Sequence, residues 1–484
     1  MEPAPLPCPS PFNLAAYVLS RASTQPGKIA LAILGPARAE RWSYGKLEAA
    51  IRGVGHGLLE AGLRPGELLL LRLGNGVAFP LAYLGAISVG IVPVPTSAQL
   101  TRAELDRMCA GMGLAAMVVA EDLATPSRAI PPISEDALLE MSKGPPADYA
   151  MGDPERLAYV VFTSGTGGQP KAVAHAHRAI WARRMMFEDW YGLREDDRLL
   201  HAGALNWTFT LGTGLLDPWT LGATALIPAD GVPLTTLPLL LKRHDATLFA
   251  AAPGVLRKLL ASREALDLPK LRHTLTAGEH LHPDLRSAWE GATGSGLYDA
   301  FGMTECSTFL SASPAGAPSL TVQRGRKAVL RSDGTIALHR SEQGLMLGYL
   351  DGPTFDLPLT EDDYFLTSDR GSADAQGRIT YEGRMGDMLN PGGYRVSPLE
   401  VEAALMACPE AGDVAVTELR NGAATYLAAC YTGAATEATL TGHASGCLAR
   451  YKQPRVWRRV EALPRGPNGK LARRALPDLF KDTP

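Results

Sequence analysis

The sequence contains few cysteines, and they do not form pairs. The six cysteines among 484 residues are scattered, and no two of them stand in a CxxC arrangement. A disulfide framework or a thiolate zinc site is therefore not expected, and a reducing compartment fits best. The first residues from Met1 also lack a basic segment that leads into an apolar one. We therefore expect no secretory signal and a cytoplasmic protein.

The chain has no large excess of either charge. It carries 47 basic and 50 acidic residues, for a formal net charge of -3. This balance provides no excess of basic residues that would attract nucleic acid or an anionic membrane. One uncharged stretch, from 76 to 101, is long enough to span a bilayer. Prolines and glycines interrupt it, so we expect a buried helix and strand there and no integral membrane segment.

Length and hydrophobic patterning predict more than one domain. A chain of this length is too long for one compact core. Apolar runs typical of strands alternate with helical ones over the first three quarters of the chain, which favours parallel sheets covered by helices. The pattern predicts a helix over 77–89. The expected strands are 68–73, 91–94, 116–119, 158–162, 223–227 and 247–251.

The character of the sequence changes near Gly383. The segment 383–387 contains glycine and charge, as a linker does, and a helix over 398–406 follows it. Two strands are then expected, over 412–419 and 426–431. The predicted fold class is therefore α/β, with a large amino-terminal domain of several subdomains and parallel-rich sheets. A small mobile α+β domain follows it. The predicted bounds are 1–385 and 386–484.

A glycine-rich loop follows the strand that ends at Phe162. Residues 163–171 read Thr-Ser-Gly-Thr-Gly-Gly-Gln-Pro-Lys. Three glycines let backbone N–H groups turn toward one anion, and the hydroxyls and the lysine add further donors. The Walker pattern does not fit, because Pro170 replaces its second glycine and Ala172 replaces its serine or threonine. The residues alone leave a surface turn and a polyphosphate loop both open.

Five further segments follow this loop in order. They are AGEHL at 277–281, FGMTE at 301–305, LTSD at 366–369, the segment 383–402 and LPRGPNGK at 463–470. Together the six motifs resemble those of the adenylate-forming superfamily, which includes acyl- and aryl-CoA synthetases, luciferases and adenylation domains of peptide synthetases. The resemblance covers nearly the whole chain.

The resemblance implies a site for ATP and Mg²⁺. Phe301 would stack on adenine, Asp369 would accept both ribose hydroxyls, and Glu305 would hold Mg²⁺ near the α-phosphate. The residues implied to bind the nucleotide are Thr163, Ser164, Gly165, Thr166, Gly167, Gly168, Lys171, Gly278, Glu279, His280, Asp299, Ala300, Phe301, Gly302, Met303, Thr304, Asp369 and Arg384.

The resemblance also implies a reaction in two steps. A carboxylate attacks the α-phosphorus of MgATP and releases pyrophosphate, and the thiol of coenzyme A then attacks the acyl-adenylate and releases AMP. The implied catalytic residues are Lys470, Lys171, Thr304 and Glu305. Lys470 would bridge the carboxylate and the α-phosphate.

Between the two steps the small domain would swing about a hinge at Gly386 and withdraw Lys470. Gly393, Tyr394 and Arg395 would then line the tunnel for the pantetheine arm. Three positions differ from the family pattern. Gly168 replaces a threonine, Ser368 replaces the glycine before Asp369, and Gly386 replaces the usual Asp or Lys. Glycine at the hinge makes the pivot looser.

The identity of the acid depends on weaker signals. Segment 206–219 resembles medium-chain acyl-CoA synthetases, and 305–311 resembles benzoate-type ligases. The implied acyl pocket includes Trp207, Thr208, Gly278 and Gly302. We therefore expect a medium-chain, branched or aromatic acid, with ATP and CoA as the other partners. No partner nucleic acid is expected, and monomer and homodimer are both left open.

Three alternatives to this interpretation concern the acceptor, the loss of catalysis and a metal site. An adenylating enzyme that loads a separate carrier protein shares all six motifs. A nucleotide-binding protein that has lost catalysis is disfavoured by the intact Lys171, Glu305, Asp369 and Lys470. His175 and His177 have the spacing of a metal pair, but no third ligand is evident, so we expect ordinary residues near a helix start.

Overall fold

The computed structural model describes residues 6–163, 170–261, 266–314, 319–385, 389, 391, 396–421, 424–466 and 470–481. The chain divides into two compact units. The first comprises Met1–Ala328 and Leu338–Phe365, and the second comprises Val329–Ala337 and Leu366–Pro484. The division passes through three strands of one sheet, Ala328–Leu330, Thr335–His339 and Tyr364–Ala373. The domain boundary expected at residue 385 stays a prediction.

The α-helices are α1 (Leu14–Val18), α2 (Tyr44–Glu60), α3 (Ala78–Ser88), α4 (Arg102–Met108), α5 (Glu135–Met141), α6 (Arg178–Ala182), α7 (Asp217–Leu221), α8 (Leu237–Arg243), α9 (Pro253–Leu260), α10 (Pro283–Thr293), α11 (Pro398–Met406) and α12 (Glu437–Cys447). Two π-helical segments are Phe187–Tyr191 and Thr210–Leu216. Short 3-10 turns are Ser20–Ala22, Leu234–Thr236, Arg450–Lys452, Arg473–Ala475 and Pro477–Phe480.

The strands of the first half are β1 (Ile29–Leu34), β2 (Ala39–Ser43), β3 (Leu68–Arg72), β4 (Val92–Pro95), β5 (Leu114–Val119), β6 (Pro132–Ser134), β7 (Leu157–Phe162), β8 (Ala172–Ala176), β9 (Arg198–His201), β10 (Thr224–Pro228) and β11 (Leu248–Ala250). The later strands are β12 (His273–Ala277), β13 (Gly296–Met303), β14 (Ser307–Ser311), β15 (Thr321–Val322), β16 (Ala328–Leu330), β17 (Thr335–His339), β18 (Gly348–Asp351), β19 (Thr354–Asp356), β20 (Tyr364–Ala373), β21 (Ile379–Arg384), β22 (Ala411–Asn421), β23 (Ala424–Gly433) and β24 (Val456–Arg459).

Three sheets build the first unit. The largest has the order β15-β14-β13-β12-β11-β9-β10-β1-β2. Its central strands run parallel, and antiparallel pairs stand at both edges. A second sheet, β4-β3-β5-β6, is parallel throughout. Parallel strands need helical crossovers that bury both faces, which explains why their sequences are continuous apolar runs.

The third sheet, β19-β18-β8-β7, differs from the parallel arrangement favoured by the sequence pattern. The strand expected over 158–162 is present as β7, but it pairs antiparallel with β8. Only the glycine-rich loop connects these two strands. A parallel pair needs a connection of a dozen or more residues, so this short loop permits only the antiparallel return. The parallel interpretation was therefore wrong for this strand.

The uncharged stretch 76–101 forms a buried helix and strand, as predicted. Every residue of α3 is buried, and β4 that follows it is buried as well. A helix that is buried on all sides carries no polar face, which accounts for the missing charges. No helix in the described part of the chain has the length and apolar character that a membrane crossing requires.

The described part of the second unit contains smaller sheets and the α-helices α11 and α12. Strand β20 pairs antiparallel with β21, and β22-β23-β24 form a mixed three-stranded sheet. Helix α11 has the bounds predicted from the sequence, because Ser397 caps it and Pro398 occupies its first position. Its buried Val401 and Leu405 share a core cluster with Val414 of β22. The predicted α/β class with a smaller α+β part is confirmed.

Candidate active site

The two ends of the glycine-rich loop are held together. The Thr163 N–H donates to the Lys171 carbonyl at 3.0 Å, and the Lys171 N–H donates to Thr163 Oγ1 at 3.1 Å. The residues between them that were predicted to bind phosphate, Ser164, Gly165, Thr166, Gly167 and Gly168, lie outside the described residues. The described ends form the neck that a closed anion-binding loop requires.

Tyr349 joins two of the predicted catalytic residues. Lys171 Nζ lies 4.2 Å from the centroid of the Tyr349 ring, a cation–π contact. The hydroxyl of the same tyrosine donates to Glu305 Oε1 at 2.9 Å. Tyr349 belongs to no motif, and its strand β18 reaches this position by pairing with β8. Local sequence patterns give no signal for such a long-range pairing.

Glu305 fits the role of a magnesium ligand. It is buried, and among the described residues its carboxylate accepts a hydrogen bond only from Tyr349. One carboxylate oxygen is therefore available to a hard cation. Mg²⁺ in nucleotide sites is held by one or two carboxylates together with substrate phosphates and water. The donor set present here matches that requirement.

His175 in β8 and His177, directly before α6, contact backbone groups. His175 Nε2 donates to the Thr304 carbonyl at 2.8 Å, and His177 Nδ1 accepts the Leu14 N–H at 3.0 Å. Burial lowers the pKa of His175 to about 4 and that of His177 to about 3, so both rings are neutral at pH 7. His175 thereby fixes the backbone at Thr304, a predicted catalytic residue.

The predicted residues 299–303 share strand β13. The strand bulges between Phe301 and Gly302 where it pairs with β14. A Cβ at Gly302 would lie 2.2 Å from the Ser307 carbonyl oxygen, so only glycine fits here. Phe301 packs edge-on against Phe309, with ring centroids 5.5 Å apart.

The remaining residues of this strand have protein partners of their own. The Asp299 carboxylate pairs with Arg286 at 2.5 Å, Ala300 is buried, and Met303 stands opposite Ser307 across the strand pair. The described contacts involve protein groups only, so the roles of Asp299, Ala300 and Met303 toward a nucleotide stay predictions.

The segment predicted to flank adenine begins where β12 ends. Gly278 has φ 93, a backbone conformation that favours glycine. Glu279 Oε2 accepts a hydrogen bond from Arg257 at 3.3 Å. Burial lowers the pKa of His280 below its ordinary value. The segment is thus a tight turn at the carboxyl end of a parallel strand, where ligands of open α/β sheets bind.

Trp207 and Thr208 stand just before the π-helical segment Thr210–Leu216. Trp207 packs edge-on against Phe209, with centroids 5.1 Å apart. Thr208 lines a cavity of about 30 Å³ together with Thr304. A predicted pocket residue and a predicted catalytic residue therefore border one space. The full lining is Leu14, Tyr83, Tyr159, His175, Ile180, Arg183, Thr208, Leu211, Gly212, Leu216, Thr304 and Ser307.

A buried ion pair stands beside this cavity and was missed by the sequence analysis. Arg183 Nε donates to Asp217 Oδ1 at 2.8 Å, and its NH2 donates to Oδ2 at 2.6 Å. The Tyr191 hydroxyl also donates to Asp217 at 2.7 Å. A Cβ at Gly212 would lie 2.3 Å from the guanidinium. Asp217 is the only charged residue between 199 and 229, which is the signal that could have indicated a buried partner.

Asp369 and Arg384 are cross-strand neighbours in the second unit. Arg384 Nε lies 3.4 Å from Asp369 Oδ1, which also accepts the Tyr381 hydroxyl at 2.7 Å. Their proximity agrees with the prediction that both serve the same sugar. Ser368, which replaces the glycine of the resembled family, has φ 63, in the left-handed region that glycine adopts readily.

Lys470 closes a turn in the second unit, where the Gly466 N–H donates to its carbonyl at 2.8 Å. The predicted hinge residue Gly386 lies outside the described residues. So do the tunnel residues Gly393, Tyr394 and Arg395. Their roles, and that of Lys470, stay predictions.

Known proteins are similar to this chain over most of its length. The sequence model of a family described as AMP-binding enzyme matches residues 19–330. The chain is 28% identical to the 3-hydroxybenzoate–CoA ligase of Aromatoleum sp. (strain CIB), over 93% of each protein. It is 25% identical to the mitochondrial acyl-coenzyme A synthetase ACSM3 of Mus musculus, over 90% of this chain and 84% of that one. A benzoate CoA ligase structure from Burkholderia xenovorans LB400 matches with a TM-score of 0.86 at 25% identity, covering 96% of this chain and 99% of that chain.

Proposed function

We infer the activity from the premise that the chain belongs to the family of AMP-binding enzymes, whose sequence model matches more than half of it. It is an acid–thiol ligase of the AMP-forming type. We propose that it activates a medium-chain, branched or aromatic carboxylic acid with ATP and transfers the acyl group to coenzyme A. The observation that carries the proposal is the contact of Tyr349 with both Lys171 and Glu305 beside the loop neck.

In the first step a carboxylate oxygen attacks the α-phosphorus of ATP, and pyrophosphate leaves. Both reactants are anions, so the reaction needs positive charge at the point of approach. Lys171 supplies one such charge at the phosphate loop, and Lys470 supplies a second at the α-phosphate and the substrate carboxylate. Glu305 would hold Mg²⁺, which neutralises phosphate charge when it is bound. His175 fixes Thr304 near the same phosphate.

In the second step the thiol of CoA attacks the acyl carbon, and AMP leaves. The resemblance implies that Gly393, Tyr394 and Arg395 would line the approach for the pantetheine arm and that Gly386 would be the pivot. The relatives named above are themselves CoA ligases or acyl-CoA synthetases, which favours free CoA over a carrier protein as the acceptor. The six cysteines are free thiols, which supports a reducing, cytoplasmic location.

A panel of acids tests this proposal directly. Purified protein with MgATP and a medium-chain or aromatic acid is expected to release pyrophosphate, and with CoA to form a thioester. Pyrophosphate release and thioester formation are measured separately for each acid. Release without any thioester would favour a carrier protein as the acceptor. Absence of release across the whole panel would contradict the ligase assignment.

Asp369→Asn tests the ribose contact. The amide keeps the shape of the side chain but accepts less strongly from the ribose hydroxyls, so KM for ATP is expected to rise about tenfold or more. KM for the acid is expected to change little. Tyr381→Phe is the matched control, because it removes a neighbour of Asp369 and keeps the carboxylate. An equal rise of the ATP KM in both variants would assign the effect to local structure.

A further inference from the structure

The cavity beside Thr304 is small and is walled by several elements. Tyr83 comes from α3, Tyr159 from β7, His175 from β8, and Ser307 from the start of β14. Its volume is about 30 Å³. Roughly 10–15 Å³ of space on this measure holds one water molecule, so the cavity accommodates a water molecule or a small polar group.

Three polar atoms on the cavity wall lack a hydrogen-bond partner among the described residues. They are the Tyr83 hydroxyl, His175 Nδ1 and the Ser307 hydroxyl, and each is buried. A buried polar atom without a partner is costly, and native proteins leave few of them. Three such atoms around one space therefore indicate a polar occupant.

The protonation state of His175 determines which hydrogen-bonding group the occupant must present to this residue. Its Nε2 faces the Thr304 carbonyl at 2.8 Å, so Nε2 carries the proton. Because burial keeps the ring neutral, Nδ1 has a free lone pair and needs a donor. The hydroxyls of Tyr83 and Ser307 can each donate or accept. A hydroxyl group matches all three, since it donates to Nδ1 and accepts from either neighbour.

The charge of the surroundings excludes an ionic occupant. Arg183 lines the cavity, but Asp217 already neutralises it through two hydrogen bonds. A second carboxylate or an ammonium group would enter without a counter-charge, which carries a large desolvation cost. The wall therefore suits a neutral group that both donates and accepts.

The backbone of Ser307 is held in an unfavourable conformation. Its φ is 47, in the left-handed region that a residue other than glycine rarely adopts. Such positions persist where the surrounding structure imposes them, and they cluster at functional sites. Here the conformation places the backbone of Ser307 against Gly302 and its hydroxyl at the cavity.

The cavity is bordered by Thr304 at one side and by Thr208, a predicted acyl-pocket residue, at another. We propose that it is a side pocket of the acyl site and that it binds a hydroxyl substituent of the carboxylic acid. The preferred substrates are then hydroxylated acids. This inference rests on the proposed ligase function, which places the reacting carboxylate near Thr304.

Matched pairs of acids test the inference. The pairs are 3-hydroxybenzoate or 4-hydroxybenzoate with benzoate, and 6-hydroxyhexanoate with hexanoate, measured by pyrophosphate release in the wild-type protein. In at least one pair kcat/KM is expected to be about tenfold or more higher for the hydroxylated acid, because a site built to bond a hydroxyl discriminates against its absence. Activity with equal kcat/KM within every pair would overturn the hydroxyl site and leave the ligase function intact. No release with any acid would instead contradict the ligase function.

Two variants test whether the cavity causes the preference for hydroxylated acids. Tyr83→Phe and Ser307→Gly each remove one cavity hydroxyl, and the second also suits the positive φ of its position. Each is expected to reduce the ratio of kcat/KM between hydroxylated and plain acid about tenfold. Tyr44→Phe is the matched control, since its buried hydroxyl donates to the Ala223 carbonyl at 2.7 Å, away from the cavity lining. An unchanged ratio in both cavity variants would show that the cavity holds only a structural water. An equal fall in the control would show that the discrimination does not arise at the cavity.

Discussion

Replacement of Lys470 by alanine is expected to lower adenylate formation by a factor of about a hundred to a thousand. The loss follows from the removal of the positive charge that would hold the carboxylate and the α-phosphate together while charge moves to pyrophosphate. Thioester formation from supplied acyl-adenylate and CoA is expected to continue, because in the proposed mechanism the lysine would have left the site by then. The two half-reactions are measured separately, by pyrophosphate release and by thioester yield.

Lys481→Ala is the matched control for this prediction. Lys481 is an exposed lysine near the same end of the chain and pairs with Asp478 at 2.8 Å. Its removal is expected to leave both half-reactions unchanged, since exposed ion pairs contribute little. If Lys470→Ala slowed both half-reactions equally, the proposed division of labour between the two steps would be refuted.

Removal of the Asp217 carboxylate is expected to reduce the free energy of unfolding by about 3–5 kcal/mol. Asp217→Ala leaves the Arg183 guanidinium buried without its counter-charge and also takes the acceptor from Tyr191. Gly212 packs directly against the guanidinium, so the arginine has little room to move toward water. Equilibrium denaturation with urea, followed by tryptophan fluorescence and circular dichroism, measures the change.

An exposed ion pair provides the comparison. Arg340 and Asp363 are 3.0 Å apart, with about half of each side chain accessible to solvent. Asp363→Ala is expected to cost less than about 1 kcal/mol. The double variant Arg183→Met, Asp217→Leu is expected to recover most of the stability lost in Asp217→Ala, since it removes both buried charges. A loss for Asp217→Ala as small as that for Asp363→Ala would show that Arg183 finds another partner.

Local patterns in the sequence were sufficient for many elements of the fold. The helix at Pro398–Met406 was predicted with its bounds, because its cap, its first-turn proline and its apolar spacing are all local signals. The strand at Leu68–Arg72 was equally clear from its run of leucines. The direction of β7 was not clear from the local sequence. The direction of a strand depends on its partner strand and on the length of the connection between the two strands.

The same distinction applies to the candidate site. Asp369 and Arg384 were identified through motifs, and a single strand pair brings them together. Tyr349 was missed because it reaches Glu305 across 44 residues of chain through sheet pairing alone. Arg183 was missed because its partner Asp217 lies 34 residues away. Contacts of this kind depend on tertiary structure, which neither periodicity nor motif spacing contains.

The position of Tyr349 affects which protein contacts must be broken when a nucleotide and its metal bind. Its ring contacts the ammonium of Lys171 while its hydroxyl contacts the carboxylate of Glu305, and no Lys171–Glu305 ion pair is formed in the described structure. Without the tyrosine, the ammonium of Lys171 and the carboxylate of Glu305 would form an ion pair with each other. A nucleotide that arrives with its metal therefore displaces one cation–π contact and one hydrogen bond, both made by the uncharged tyrosine, and breaks no ion pair. The tyrosine keeps the reorganisation energy of binding low.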